Sequence, residues 1–224
     1  MEPKEIVLEK EELAMKEQLE KMVDSYDSYM SRVTFGRENK LREQTLNSAG
    51  VKSGNCVLEV GSGTGTLALA AKKKVGITGK VNGIDVIPGM IEVSRQKAKQ
   101  SHEDVSFDLG SIVDIPFEAN TFDIVICSFM IFHIAEKTRQ KGLSEIHRVL
   151  KPKGKLFIVD LGLPKGSIQK TLAKLFLGFM IGHELEELTV SFQKNGFTEI
   201  TNGKVDFRIL GLSVISYISG MAQK

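Results

Sequence analysis

Cysteine is scarce in this chain of 224 residues, which contains only Cys56 and Cys127, each in a short apolar run. No cysteines or histidines share the close spacing that zinc ligands require, so the sequence predicts no metal site. The two cysteines could in principle pair, but nothing in the sequence suggests a secreted disulfide scaffold. We therefore interpret both as small buried apolar side chains.

Long apolar runs and an excess of charge of one sign are missing as well. No window approaches the ~18 apolar residues of a membrane-spanning helix, and residues 1–5 lack the apolar stretch of a signal peptide. The 30 Lys and Arg residues nearly balance the 28 Asp and Glu residues, for a net charge of +2. This balance offers no electrostatic reason to expect a nucleic-acid partner. A cytoplasmic protein without a transmembrane segment is the expectation.

What the sequence does contain, from residue 55 onward, is an alternation of short apolar runs and amphipathic stretches. The predicted strands are 56–60, 81–85, 105–109, 122–128 and 155–161, and the predicted helices are 67–74, 88–100 and 136–150. Strands that alternate with helices of ~10–15 residues predict a parallel sheet with helices on both faces. Residues 197–221 are strand-like, with a turn at Asn202-Gly203 or, as we favour, at Leu210-Gly211.

A glycine-rich turn, Glu59-Val-Gly-Ser-Gly-Thr-Gly65, joins the first strand to the following helix. Glycine lets the backbone turn sharply and lets a ligand approach the N–H groups at the helix start. The second strand ends at Asp85, whose carboxylate could accept hydrogen bonds from both hydroxyls of a ribose. Together these features predict a ligand that contains adenosine. A purely structural turn and a helix-capping aspartate are the alternatives.

Two details favour S-adenosylmethionine over NAD as that ligand. The dinucleotide fingerprint requires a glycine three positions after its second glycine, and counting from Gly63 that position is Thr66. Glu59 would repel a pyrophosphate but would attract a ligand that carries positive charge, such as a sulfonium or an ammonium. A role for Glu59 in capping the turn is the alternative.

At this point the chain resembles the class I S-adenosylmethionine-dependent methyltransferases, over about residues 55–161. The resemblance is carried by Val57-Leu-Glu-Val-Gly-Ser-Gly-Thr-Gly65, Gly83-Ile-Asp85, and the segments 114–125, 128–134 and 145–155. The segment from Tyr26 to Gly36 is similar to the ubiquinone/menaquinone-biosynthesis C-methyltransferase branch. The resemblance implies a Rossmann-like seven-stranded α/β sheet, mostly parallel, with a C-terminal antiparallel hairpin.

The same resemblance implies S-adenosylmethionine as cofactor and S-adenosylhomocysteine as product. It implies that Gly61, Gly63 and Gly65 line the methionine moiety and that Asp85 binds the ribose. The other implied cofactor contacts are Tyr26, Glu59, Ser62, Val86, Met90, Ser111, Ile112, Ser128 and Phe129. Ser111 departs from the acidic residue that the family usually has at this position, so the adenine contact differs there.

We expect an N-terminal helical cap over residues 1–50 and a methyltransferase domain over residues 51–224. An apolar seam of Leu8, Met15, Leu19 and Met22 predicts that the cap begins with a surface helix. An insertion at about 162–183 lies on the acceptor side. Its apolar residues could belong to the core, an acceptor pocket or an interface.

For the acceptor side, the candidate substrate residues are Tyr29, His133, Phe176 and Phe179. His133 is also the candidate general base, and a loop histidine bonded to backbone is the alternative. The expected reaction is methyl transfer to a small-molecule acceptor, apolar or aromatic. Methylation of a protein or peptide side chain and a catalytically silent cofactor-binding module remain alternatives, and the oligomeric state is open.

Overall fold

The computed structural model describes residues 10–162, 185–209 and 211–224. Seven strands form one sheet in the order β3-β2-β1-β4-β5-β7-β6. They are β1 Cys56–Val60, β2 Lys80–Asp85, β3 Ser106–Leu109, β4 Phe122–Ser128, β5 Leu150–Leu161, β6 Phe197–Lys204 and β7 Ile215–Ala222. Strands β1 to β5 pair in parallel, whereas β7 runs antiparallel to both β5 and β6. The Rossmann-like sheet with its C-terminal antiparallel hairpin is confirmed.

Helices cover both faces of this sheet, as predicted. They are α1 Lys10–Met22, α2 Tyr26–Thr34, α3 Glu38–Ala49, α4 Thr66–Val75, α5 Pro88–Ser101, α6 Glu136–Val149 and α7 Leu188–Lys194, with short 3₁₀ turns at Val23–Ser25, Ile131–His133 and Leu185–Glu187. One apolar core lies between the sheet and α3, α4 and α5, and includes Leu41, Ala71 and Ile91. The second core lies under α6 and α7 and includes Ile146 and Phe192.

The fifth strand differs from the sequence prediction, because it begins at Leu150 rather than at residue 155. Leu150 pairs with Phe122, and the register between β4 and β5 shifts before the next pair, Ile124 with Lys155. Pro152 has no N–H group to donate, so the segment is extended but interrupts the ladder as a bulge does. The breaker residues therefore bend the strand instead of preceding it.

The C-terminal strands are joined through a reversal around Gly211, the turn that we favoured. The backbone N–H of Ile209 donates to the Leu212 carbonyl over 3.0 Å, and the N–H of Leu212 donates back over 2.8 Å. The alternative turn, Asn202-Gly203, lies within β6. A Cβ atom at Gly203 would lie 2.9 Å from the Tyr217 ring, so this glycine makes room for a cross-strand aromatic side chain.

The sheet changes its direction of winding at β1, which lies between β2 and β4. In folds of this kind, ligands bind at the carboxyl ends of the strands beside such a switch point. The chain leaves these strand ends at Gly61, Asp85 and Ser128. In the described parts of the chain, no helix combines the length and the apolar character needed to cross a membrane.

Candidate active site

A cavity of about 400 Å³ lies at the carboxyl ends of β1, β2 and β4. One side, here called the strand wall, consists of residues that follow the strands: Gly61, Gly63, Asp85, Val86, Ile87, Met90, Gly110, Ser111, Ile112, Ser128, Phe129 and Met130. The opposite side, the helix wall, consists of residues from α1 and α2: Glu12, Met15, Lys16, Gln18, Leu19, Met22, Tyr26, Tyr29 and Met30. A volume of this size is in the range of small-molecule binding sites.

The glycine turn has a left-handed backbone at Gly61, Gly63 and Gly65, with φ values of 70°, 51° and 77°. Gly61 and Gly63 line the larger cavity and a smaller one beside it. A Cβ atom at Gly61 would lie 2.8 Å from the Met130 side chain. Gly65 is not among the described residues that line these two cavities. A Cβ atom at Gly65 would lie 2.6 Å from Phe107. Gly65 therefore allows close packing behind the turn.

Asp85 is held by main-chain donors and faces the larger cavity. Its Oδ2 atom accepts the Gly63 N–H over 2.8 Å, and its Oδ1 atom accepts the Ile87 N–H over 3.0 Å. Burial raises the pKa of Asp85, and these N–H groups oppose that shift. A carboxylate oxygen can accept two hydrogen bonds, so each oxygen retains capacity for a ribose hydroxyl. The bond to Ile87 also matches the capping alternative, and the two roles are compatible.

The smaller cavity, of about 70 Å³, contains Glu59 and Ser62. Among the described residues, Glu59 Oε2 and Ser62 Oγ are buried and have no hydrogen-bond partner. Burial raises the pKa of Glu59 to about 8, with a smaller contribution from Asp85. Buried polar groups normally have partners, and a cationic ligand group would satisfy this carboxylate. The residues present therefore fit the cationic methionine end of S-adenosylmethionine.

Tyr26 lies between the two cavities and above the glycine turn. Its ring carbon Cε1 is 3.9 Å from the position of a Cβ atom on Gly63. Burial, followed by the charges of Asp85 and Glu59, raises the pKa of Tyr26 to about 12. Its hydroxyl therefore stays protonated near neutral pH and is a hydrogen-bond donor.

The helix wall is attached to the rest of the protein by two carboxylates that sequence reasoning missed. Glu12 is buried, and its Oε1 atom accepts the N–H of Ala135, the residue before α6, over 2.8 Å. Asp27 accepts the Thr64 hydroxyl over 2.7 Å and pairs with Lys97. No local pattern marks either residue, since each partner is distant in sequence.

The apolar seam of α1 also has a more specific role than the surface helix that we predicted. Met15, Leu19 and Met22 line the larger cavity, together with Met30 from α2. Their helical spacing was a usable signal for one shared face. The spacing alone does not show that this face borders a cavity.

His133 ends the 3₁₀ turn after β4, and its side chain lines the larger cavity together with Tyr29. Its backbone N–H donates to the Met130 carbonyl over 3.1 Å. Burial lowers the pKa of the His133 imidazole, which favours the neutral form able to accept a proton. The other two candidate substrate residues, Phe176 and Phe179, lie outside the described residues.

The remaining candidates all lie at the cavities. Val86, Met90, Ser111 and Ile112 line the larger one, and Ser128 and Phe129 line both. The Ser111 hydroxyl accepts the Val113 N–H over 3.3 Å, so this side chain also shapes its own turn.

Comparisons with known proteins agree with this geometry. Residues 57–154 match the family described as "Methyltransferase domain". The demethylmenaquinone methyltransferase of Staphylococcus aureus (strain JH9) is 31% identical over 172 residues, which cover 75% of this chain and 70% of that protein. The chain belongs to the class I S-adenosylmethionine-dependent methyltransferases.

Two further matches extend over more of this methyltransferase. The 2-phytyl-1,4-naphtoquinone methyltransferase of Nostoc sp. (strain PCC 7120) is 27% identical over 218 residues, covering 85% of this chain and 93% of that protein. The crystal structure of a SAM-dependent methyltransferase from Aquifex aeolicus has a TM-score of 0.68 at 22% identity, and covers 92% of this chain and 97% of that one. The latter supports the fold. The protein is an enzyme, and S-adenosylmethionine is its cofactor.

Proposed function

We propose that this methyltransferase acts on a quinone-type ring that carries an apolar tail. The observation that carries the proposal is the helix wall, which places Met15, Leu19, Met22 and Met30 opposite the strand ends in one continuous cavity. Methionine side chains are flexible and pack well against aromatic rings. The names of the relatives from Staphylococcus aureus and Nostoc, both quinone methyltransferases, support the same class of acceptor.

The cofactor is proposed to lie along the strand wall, where it supplies a methyl group activated by a sulfonium centre. Asp85 would hold the ribose hydroxyls, and Glu59 and Ser62 would face the methionine end through the smaller cavity. The adenine end would contact Val86, Met90, Ser111 and Ile112. Tyr26, Gly61, Gly63, Ser128 and Phe129 would complete the methionine side, with Gly65 supporting the turn from behind.

His133 is proposed to accept a proton from a ring hydroxyl of the acceptor. A reduced, hydroquinone ring is an electron-rich nucleophile, and it becomes more so when its hydroxyl loses a proton. Carbon methylation would form a carbon–carbon bond and break the carbon–sulfur bond. The proton then lost from the methylated ring carbon would restore the ring hydroxyl, so the one proton released overall is the proton that His133 accepts. A neutral, partly desolvated imidazole at the cavity wall suits this role as base.

The N-terminal helices are proposed to form a cap over the acceptor side of the domain. Glu12 and Asp27 support this division, because they attach α1 and α2 to the rim of the cavity. The acceptor-side insertion at about 162–183 stays a prediction, since almost all of it lies outside the described residues.

The test supplies isotopically labelled S-adenosylmethionine together with a reduced naphthoquinone that carries an isoprenoid tail and a free ring position. A labelled, lipid-soluble product detected by mass spectrometry is expected. A labelled polypeptide formed in cell extract instead would support the protein-methylation alternative. Binding of the cofactor without any product, from the quinol or from extract, would support the silent module.

The role of His133 is tested by His133→Gln in the same assay. We expect kcat to fall about 100-fold, which is the scale of general-base catalysis, while the affinity for S-adenosylhomocysteine is unchanged. The pH profile of kcat should lose its acidic limb, because protonation of the imidazole removes the base in the unchanged enzyme. An unaltered kcat and profile would leave His133 as a lining residue only.

A further inference from the structure

Helix α6 carries three residues at intervals of three, Gly142, Glu145 and Arg148, which therefore lie toward one face. Glu145 and Arg148 belong to the segment 145–155, whose resemblance to the family we noted but to which the proposed reaction assigns no role. This face is turned toward residues 110–117, which connect β3 to β4 and begin with cavity residues Gly110, Ser111 and Ile112.

Glu145 and Arg148 bind the main chain of that connection. The Arg148 guanidinium donates from Nη1 to the Phe117 carbonyl over 2.8 Å and from Nη2 to the Ile115 carbonyl over 2.9 Å. Glu145 Oε2 accepts the Ile115 N–H over 3.1 Å and an Arg148 N–H over 2.8 Å. Both polar main-chain groups of Ile115 are thus satisfied by one ion pair.

Gly142 makes a second, independent contact with the same connection. A Cβ atom at Gly142 would lie 2.5 Å from Ile112 Cγ1, so the Ile112 side chain occupies the space that a larger residue would need. Ile112 is 5% exposed and lines the larger cavity. At the other end, the Gly110 N–H donates to the Asp85 carbonyl over 3.0 Å. The connection is therefore held between β2 and α6.

We propose that Gly142, Glu145 and Arg148 form a positioning surface that sets the affinity of the enzyme for the adenine of its cofactor. Of the described residues that line the cavity, none belongs to this surface, so it acts through Ser111 and Ile112. The proposal rests on the cofactor placement given under the proposed function. The connection lacks a strand ladder of its own, and charge-assisted bonds to its main chain replace one.

The test measures the dissociation constants of S-adenosylhomocysteine and of its inosine analogue, which lacks the adenine amino group, by calorimetry. In Arg148→Lys, a compact ammonium group replaces the planar guanidinium, which donates to several acceptors at once. We expect about tenfold weaker binding of S-adenosylhomocysteine, on the scale of one hydrogen bond to a charged group. The ratio of the two dissociation constants should move closer to one, and kcat at saturating cofactor should be unchanged.

Gly142→Ala and Glu145→Gln address the same surface through different contacts. Each should also bring the ratio of the two dissociation constants closer to one. In Gly142→Ala the Ile112 side chain must move, and in Glu145→Gln the Ile115 N–H loses its charged acceptor. The matched control is Lys151→Met, in the same segment 145–155. It removes an ion pair between Lys151 and Asp123 whose length, 2.7 Å, and exposure are similar to those of the Arg148–Glu145 pair. It should lower the thermal stability but leave both dissociation constants unchanged.

The outcomes separate this proposal from the one on which it rests. If Arg148→Lys and Gly142→Ala bind both ligands as the unchanged enzyme does, or if Lys151→Met alters the ratio equally, the positioning surface is rejected. If Asp85→Ala still binds S-adenosylhomocysteine normally, the placement of the cofactor fails instead. If Arg148→Lys or Gly142→Ala does not fold, the result for Glu145→Gln decides in its place, because that substitution retains the shape of the side chain.

Discussion

The two walls of the cavity are built in different ways. The strand wall follows directly from β1, β2 and β4, and its acidic group Asp85 is fixed by main-chain N–H groups. The helix wall rests on side-chain contacts, chiefly Glu12 with the Ala135 N–H and Asp27 with Thr64 and Lys97. A sheet ladder holds its strand ends in place, whereas single side-chain bonds leave a helix free to shift at small cost.

This difference suggests that the two walls bind different ligands. The strand wall presents the Asp85 carboxylate and exposed main-chain groups, which suit a cofactor of constant structure. The helix wall presents methionines that adapt their shape to a partner. We therefore expect substitutions in the strand wall to change cofactor binding strongly, and substitutions in the helix wall to change acceptor binding more mildly.

The largest expected effect is that of Asp85→Ala in the strand wall. Loss of two charged hydrogen bonds to the ribose should weaken S-adenosylmethionine binding about 100-fold, as measured by calorimetry. Asp108→Ala is the control, because Asp108 is a half-exposed aspartate of the neighbouring strand that pairs with Arg95. Normal binding by the Asp85 variant would contradict the placement of the cofactor.

Glu59→Gln should weaken cofactor binding by about tenfold, since a neutral amide attracts the cation less strongly than a carboxylate. The folded-state pKa of Glu59 is about 8, above its ordinary 4.5, so its contribution to stability is complete below about pH 4.5 and is lost as the pH rises toward 8. The variant should therefore melt ~3 °C higher at pH 8 and show little difference at pH 4.

Calorimetry and thermal unfolding at the two pH values check both parts of the Glu59 prediction. Glu118→Gln serves as the control, since Glu118 is exposed and lies on the connection before β4. A variant that binds the cofactor as well as the unchanged enzyme would show that the methionine end lies elsewhere.

In the helix wall, Glu12→Gln should raise the KM for the acceptor about fivefold, because the bond to the Ala135 N–H loses its charge. The dissociation constant of S-adenosylhomocysteine should change by less than about twofold. Steady-state kinetics measure the first quantity and calorimetry the second. Glu17→Gln, an exposed position on the same helix, is the control. Equal effects on both ligands would mean that the two walls do not divide the work as proposed.

The smallest effect is expected for Asp27→Asn. Asp27 is exposed, and surface ion pairs contribute little. Because α2 carries Tyr26, a helix-wall residue that we propose also contacts the cofactor, release of S-adenosylhomocysteine should be about twofold faster in stopped-flow measurements. Asp24→Asn, exposed in the preceding turn, should leave the rate unchanged. A tenfold change would show that α2 is held chiefly by this one residue.

The strand wall could be predicted from the sequence far better than the helix wall. Asp85 and the glycine turn sit at strand ends, and a parallel sheet brings such ends to one edge. For Gly65, which the resemblance places beside the methionine moiety, the structure adds a separate requirement, because a Cβ atom there would lie 2.6 Å from Phe107. Local pattern shows that a glycine is needed but does not show which neighbour requires it.

The sequence by itself determined the alternation of strands and helices, the turn from Glu59 to Gly65, and the aspartate at the end of the second strand, because these depend on residues that are near one another in the chain. Only the tertiary structure decided that α1 faces the cavity, since Glu12 and Ala135 are 123 positions apart. The same holds for Arg148 and Ile115, which are 33 positions apart. Contacts between distant residues depend on how whole elements pack, and a local pattern of residue types carries no signal of that packing.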